Sequence, residues 1–408
     1  MTSWATAGTA VVLLGIVLAS PPVVFIGAAM LIIRVLAEVW PRRVLNGLQL
    51  ERHVSPPHAV AGEDVEVSLS LWNGTRLPAA WATVSDAMGV GLVAVTASGE
   101  QRMGGIDLLT VASALRPYER VTRRYRVTPI RRGIHEIGPA QFRVAELFGA
   151  HTPIRDADVE PLRILARPRA VPVTGGVPAR APLAHSRARR SLFSDPSLFA
   201  GVRPFQSGDP LKSIHWRATA RRAELQTKRF EPSLASQAVL VFDVQTVEGE
   251  YWMLVYDEQH FEDLAVAVAS VAREMVSHST ACGFAAATFS GSTQRYVYLP
   301  PRTDRSQLGR IGDALARLTP ESSAPLTRLL AWLPRRVAAG TMIVIFSSRS
   351  AVTSASVVRR LRDSGYPVHF VLAGQENLAR QARQAGVAAS SVRVEAEAGV
   401  PRAVAVHA

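Results

Sequence analysis

Residues 9–36, TAVVLLGIVLASPPVVFIGAAMLIIRVL, carry one charge, Arg34, near their end. So long an apolar run constrains the chain more than any other feature, because water tolerates it poorly and a bilayer takes it readily. A cleaved leader is a poor fit, since no basic stretch precedes the run and no Ala-x-Ala site follows it. A single long span would place Pro21-Pro22 at its centre, where proline removes a helix hydrogen bond. The run is therefore expected to form a transmembrane hairpin within residues 1–43, with spans at about 5–19 and 23–39 turning at Ser20-Pro21-Pro22. Each span is slightly short of the roughly 20 residues a bilayer usually asks for. The first 33 residues hold no Lys or Arg, whereas Arg34, Arg42 and Arg43 flank the exit. The positive-inside bias puts the exit, and the soluble parts after it, on the cytoplasmic side of the cell membrane as a multi-pass protein.

At 408 residues the chain exceeds one ordinary core, so two or three domains are expected. Residues 47–165 alternate with period two. VEVSLSLW (65–72) lies between AGED and NGTR, and YRVTPIRRGIHEIGPAQFRV reads as strands with turns at Arg131-Arg132-Gly133 and Gly138-Pro139. The spacing predicts a small β-sandwich. Residues 166–200, rich in Pro, Ala and Arg without an apolar period, read as a basic linker. Between 161 and 230 stand 14 Lys and Arg against three acids, a net +11 of the chain's +13. Such a segment is either a solvated linker or, tethered to a membrane, a contact for anionic lipid headgroups.

From residue 237 to 408 the pattern changes to apolar strands alternating with amphipathic helices. AVLVFDV is followed by FEDLAVAVASVAREMVSH and GFAAATFS, then by QLGRIGDALARL, TMIVIFSS, SASVVRRLRDSG and PVHFVLAG. Strands apolar on both faces predict an α/β fold with a parallel, doubly wound sheet. Ligands of such sheets sit at the carboxyl ends of strands, which here carry Asp243, Ser290 and Ser347-Ser348.

A first strand closing on an aspartate resembles the von Willebrand factor A domain. The metal loop of that fold reads Asp-x-Ser-x-Ser, because a hard divalent cation such as magnesium needs converging oxygens. Here the loop reads Asp243-Val244-Gln245-Thr246-Val247, and a later strand ends in Ser347 where an aspartate often stands. Asp243, Gln245 and Ser347 are thus a degenerate ligand set, with Asp257 and Glu258 the nearest further acids, and neither a metal nor a cofactor is expected. No phosphate-binding loop, His-Glu-x-x-His or Gly-x-Ser-x-Gly elbow occurs, and Ser207, Asp209 and His215 make no defensible triad. No catalytic residue is expected. The lone Cys282 excludes an internal disulfide and reads as a buried thiol.

Between 201 and 236 lies GVRPFQSGDPLKSIHWRATARRAELQTKRFEP, in which Arg203, Phe205, Gly208, Asp209, Ile214, His215, Trp216, Ala220, Arg221, Glu224, Leu225, Lys228, Phe230 and Glu231 hold fixed spacings. This pattern resembles the signature of the domain of unknown function 58 family, and the resemblance extends to the membrane hairpin, the β-sandwich and the A-like domain. It implies a membrane-anchored protein without established activity, encoded beside MoxR-type AAA+ ATPases and transglutaminase-like membrane proteins. The signature is expected to brace the A-like domain, with Phe205, Trp216 and Phe230 buried as anchors and Asp209 paired with Arg217 or Arg221.

Two functions compete. The first is a non-enzymatic membrane-anchored adaptor that presents the A-like domain to a MoxR-type ATPase. The alternative is a basic protein binding nucleic acid or anionic lipid. RARRSLF and HWRATARR interleave too few aromatics for a base-stacking platform, so no specific nucleic-acid partner is expected.

Overall fold

The computed structural model describes residues 3–95, 101–105, 107–145, 152–175, 194–205, 214–232, 237–252, 255–289, 296–374, 376–397 and 400–407. The chain divides into two compact units, Met1–Arg167 and Pro168–Ala408.

The first unit opens with two helices, α1 (Ser3–Val17) and α2 (Pro21–Gly47). Pro21 and Pro22 begin α2 rather than interrupt it, since the first helical turn has no use for a proline's missing N–H. The two helices run antiparallel and touch through glycine: a Cβ on Gly15 would lie 2.6 Å from the Val24 nitrogen, and one on Gly27 would lie 2.7 Å from that of Val12. The helix α2 is long and apolar enough to cross a membrane, and Thr6–Val17 is a shorter apolar helix. The expected second span stops at residue 39, yet α2 continues through Pro41 to Gly47. Packing overrides the proline here, because Pro41, Val44 and Leu45 are all buried and the last two belong to the core of the strands that follow.

Those strands are β1 (Leu48–Ser55), β2 (His58–Val60), β3 (Val65–Asn73), β4 (Ala79–Met88), β5 (Leu92–Val95), β6 (Gln101–Met103), β7 (Leu108–Leu115), β8 (Arg120–Pro129), β9 (Gly133–Ala145), β10 (Ile154–Asp156) and β11 (Leu162–Arg167). One sheet has the order β1-β3-β8-β5-β6; the other has β2-β11-β9-β4-β7, with β10 on β9. Alternation creates the shared core: Val65, Val67, Leu69 and Leu71 of β3 point inward while Glu66, Ser68 and Ser70 point out. The expected turn at Arg131-Arg132 separates β8 from β9. That at Gly138-Pro139 does not exist. These residues lie inside β9, opposite a register shift in β4, because a bulge accepts the residue that cannot donate to the ladder.

The same alternation places two charges inside the core. Arg52 and Asp86 both follow the inward face, one from each sheet, and meet with Nε–Oδ2 at 2.7 Å and Nη2–Oδ1 at 2.8 Å. Arg52 Nη1 also donates to the Glu160 carbonyl at 2.8 Å. Burial pushes the Asp86 carboxyl up, opposed by Arg52.

The second unit begins inside the expected linker. Val171 is buried against α4 (Glu258–Ser277), and its N–H donates to Ser270 Oγ at 3.0 Å. Val173–Thr174 forms β12, and Ser194–Pro204 forms β13. Both ends of that stretch are therefore built into the fold, while its middle, 176–193, lies outside the described residues. Next come α3 (Trp216–Arg222) and β14 (Gln226–Pro232), then β15 (Gln237–Phe242) leading into α4. The remaining elements are β16 (Ala281–Ala286), β17 (Val297–Arg302), α5 (Ser306–Arg317), α6 (Leu326–Trp332), β18 (Met342–Ser347), α7 (Ala355–Asp363), β19 (Val368–Ala373), α8 (Glu376–Gln384), β20 (Ala389–Glu397) and β21 (Val400–His407).

The order of the large sheet is β12-β21-β20-β19-β18-β15-β16-β17. From β20 to β16 the strands are parallel; β21 and β17 pair antiparallel at its two flanks. Leu240, Phe242, Val344 and Phe346 face the core shared with α4 and α5. Their neighbours Val239, Val241, Ile343 and Ile345 face α6, α7 and α8.

We expect Asp86→Ala to destabilise the two-sheet unit by about 3–5 kcal/mol, because it leaves a guanidinium buried alone. The apolar pair Arg52→Met with Asp86→Leu should recover most of that loss, read as hydrogen-exchange protection of the β3 amides. Equal losses in both variants would contradict this account.

Candidate functional site

The end of β15 carries a carboxylate that the fold closes on itself. Asp243 continues the strand, its N–H donating to the Phe346 carbonyl at 2.9 Å, and it is buried. From the adjacent strand β18, Ser347 Oγ donates to Asp243 Oδ2 at 2.7 Å. Two residues on, Arg349 turns back over the same carboxylate. Its Nη2 lies 2.9 Å from Oδ2 and 3.1 Å from Oδ1, and its Nε lies 3.1 Å from Oδ2. The Arg349 N–H in turn donates to Ser347 Oγ at 3.0 Å. Burial pushes the Asp243 carboxyl up, against the pull of Arg349 and Ser347.

This cluster ties two loops together. Ser348 Oγ donates to the Thr246 carbonyl at 2.8 Å, and the Ser350 N–H to Glu248 Oε1 at 2.6 Å. Thr246 Oγ1 accepts from the Asp257 N–H at 2.7 Å, and Asp257 Oδ1 caps α4 by accepting from the His260 N–H at 2.9 Å.

The residues do not fit a divalent cation. Gln245 turns its amide nitrogen toward the Gly249 carbonyl at 3.5 Å, Ser347 spends its hydroxyl proton on Asp243, and the guanidinium covers both carboxylate oxygens. Such a metal would need several converging oxygens with free lone pairs. Among the described residues no group of three His, Cys, Asp or Glu side chains comes together to hold one. Sequence reasoning assembled Asp243, Gln245 and Ser347 but missed Arg349. Arg349 stands two residues beyond the end of β18, and only the pairing of β18 with β15 brings it to Asp243.

The segment 201–232 forms a separate ribbon. Strands β13 and β14 pair antiparallel as their own two-stranded sheet, with Val202 opposite Lys228, Arg203 opposite Thr227 and Pro204 opposite Gln226. The helix α3 is tied to β14 by the polypeptide itself. The His215 N–H donates to the Gln226 carbonyl at 2.7 Å, the Gln226 N–H to Thr219 Oγ1 at 3.0 Å, and the Phe205 N–H to the Leu225 carbonyl at 2.8 Å. Among the described residues of the segment, Ile214, Gln226 and Thr227 are buried. His215 caps α3, its Nδ1 accepting from the Ala218 N–H at 3.0 Å.

The expected burial of Trp216 is overturned, for its side chain is 68% exposed. It is the first residue of a seven-residue helix with no buried face, held by its cap and by β14 rather than by apolar packing. Arg217, Arg221 and Arg222 are exposed on the same helix. Arg203 donates to its neighbour Pro204's carbonyl at 3.1 Å, and Phe205 is half-buried. Gly208 and Asp209, with the proposed ion pair, lie outside the described residues, as do the side chains of Lys228, Phe230 and Glu231 and the whole of Ser290. Cys282 is buried, and burial pushes its thiol up to about 12, which removes it as a nucleophile.

Because Arg349 already supplies the positive charge, millimolar Mg²⁺ or Mn²⁺ is expected to leave the melting midpoint of the second unit unchanged, and EDTA likewise. A cation bound well below its concentration would add about 2.7 kcal/mol at a hundredfold excess over Kd. A midpoint that rises by several degrees with metal would contradict the closed site.

Comparison with known proteins finds similarity over part of the chain. An "Uncharacterized protein YeaD" of Bacillus subtilis (strain 168) is 29% identical over 89 residues, which are 22% of this chain and 20% of that protein. The match thus spans about a fifth of the curated relative's length. Among solved structures, the ASH/PapD-like domain of human CEP192 shares 11% identity over 30% of this chain and 87% of that one, at a TM-score of 0.20. A type II cohesin domain from the cellulosome of Acetivibrio cellulolyticus shares 14% over 29% of this chain and 94% of that one, at a TM-score of 0.21. At such scores neither supports a statement about this chain. Residues 201–362, from the signature ribbon through α7, match the family described as "Protein of unknown function DUF58".

Proposed function

We propose that the chain is a non-enzymatic, membrane-anchored adaptor whose second unit, a doubly wound domain of the von Willebrand A type, presents the signature ribbon to a protein partner. The observation that carries this reading is Trp216, 68% exposed on a helix lined by Arg217, Arg221 and Arg222. An indole in water has no structural use, whereas Trp and Arg are the side chains that dominate protein–protein contacts. The fixed spacing of the signature then maintains a surface rather than a buried brace. Its backbone ties to β14 set the pose of α3.

Two groups that could otherwise react are engaged or buried. Asp243 is spent on Arg349, and the Cys282 thiol is too buried to ionise near neutral pH. Helices α1 and α2 would anchor the adaptor as a transmembrane hairpin, with Arg42 and Arg43 near the cytoplasmic face. By family resemblance a MoxR-type AAA+ ATPase is the first candidate partner.

The test is affinity capture of the full-length protein in mild detergent with ATP, beside Trp216→Ala and Arg221→Ala. Both positions are exposed, so the variants should fold. Recovery of an AAA+ ATPase with the parent and at least a tenfold loss with both variants is the expected result. Equal recovery with all three would remove the ribbon as the dock.

A further inference from the structure

The second unit has another exposed apolar surface, at the carboxyl end of its sheet. Strands β16, β15 and β18 are parallel neighbours, so the loops leaving them emerge side by side. The loop after β15 exposes Trp252, Val255 and Tyr256, that after β16 exposes Phe289, and that after β18 exposes Val352. Trp252 is 63% exposed and Val255 68%. These side chains rest on a fixed base. The Tyr256 ring meets that of Phe261 at 6.5 Å, and Phe261 packs edge-on against Phe242 of β15 at 5.1 Å. The hydrogen bonds from Ser348 to Thr246 and from Ser350 to Glu248 hold the first and third loops together.

The charge of this rim is opposite to that of the chain. No Lys or Arg occurs from residue 230 to 272, a stretch that includes Glu248, Glu250, Asp257, Glu258, Glu262 and Asp263. The three loops hold two basic residues: Arg349, which is turned inward onto Asp243, and Arg295, which lies outside the described residues, against Glu248, Glu250 and Asp257. A protein of net charge +13 thus carries a locally acidic, aromatic rim. Phosphate groups are repelled by such a surface, which excludes nucleic acid and anionic headgroups as its occupants. An apolar contact bordered by lysine or arginine satisfies both halves of it, with the aromatics as anchors and the acids selecting the partner.

We propose that this rim docks a protein segment that presents Lys or Arg beside apolar side chains, a second partner surface distinct from the signature ribbon. The inference rests on the adaptor reading and gives it two ends: a basic face at α3 and an acidic one at the sheet edge.

A benzophenone-bearing amino acid placed at position 252, 216 or 130 of the full-length chain, in its native membrane, tests both. Position 130 is an exposed site on the first unit and serves as control. After irradiation, the protein adduct at 252 should contain a cross-linked peptide with Lys or Arg flanking apolar residues. Its yield should fall roughly fivefold or more with Glu250→Lys, and less with Glu250→Gln, as expected for a charge at the edge of an interface. An acidic or uncharged cross-linked peptide, a lipid adduct, or a yield indifferent to Glu250→Lys would overturn the proposal. No adduct at 252 beside a protein adduct at 216 would also overturn it while leaving the adaptor intact. Absence of protein adducts at both 252 and 216 would sink the adaptor reading itself.

Discussion

The pairing of Asp243 with Arg349 is the constraint on which the carboxyl end of the second unit's sheet depends. A carboxylate at the end of a central strand, buried among Phe242, Val244 and Phe346, carries a desolvation cost that only a close counter-charge offsets. Many oxygen-rich loops recruit a metal ion for that purpose. This chain carries its own cation, on a side chain that cannot lose its charge and whose fork matches both carboxylate oxygens. A metal site can be filled or empty, whereas a guanidinium two residues from its strand is always present.

That difference changes what the surrounding loops can do. With Ser347 shared between Asp243 and the Arg349 backbone, and with Thr246 and Glu248 engaged by Ser348 and Ser350, the loops after β15 and β18 are held together. Tyr256 rests on Phe261, which packs against Phe242, and a base fixed in that way lowers the ordering cost that binding would otherwise carry. The signature ribbon offers Trp216 in a comparable way, on a helix fixed by a histidine cap and by backbone bonds to β14. The two surfaces differ in sign of charge, as the proposed pair of unlike partners requires.

Much of the architecture could be read from periodicity. The alternation in VEVSLSLW gave the inward face of β3, and the doubly apolar runs AVLVF and MIVIF marked β15 and β18 as buried on both sides. Elements whose signals are local but weak escaped. The edge strand β17 contains Pro300-Pro301, which argue against a strand unless it lies at an edge. In α2 the expected end near residue 39 was overrun, because Val44 and Leu45 are buried in the core of the strands that follow. Gly138-Pro139 looked like a turn because composition cannot distinguish a turn from a bulge. The site was half legible for a different reason. Asp243 and Ser347 announced themselves by their positions at strand ends, but Arg349 acts through space across 106 residues, and in an arginine-rich chain one more arginine carries no sequence signal. The exposure of Trp216 was likewise hidden, since aromatic content alone does not tell which side of a short helix faces water.

The most direct measurement is a double-mutant cycle on Asp243→Ala and Arg349→Ala, read from hydrogen-exchange protection of the β15 and β18 amides in the full-length protein. If the pair closes this end of the sheet, each single variant should lose about 3–5 kcal/mol and the double variant less than their sum by about 2–3 kcal/mol. Strictly additive losses would mean that the two side chains stabilise the fold independently, and the account of a built-in cation would be wrong.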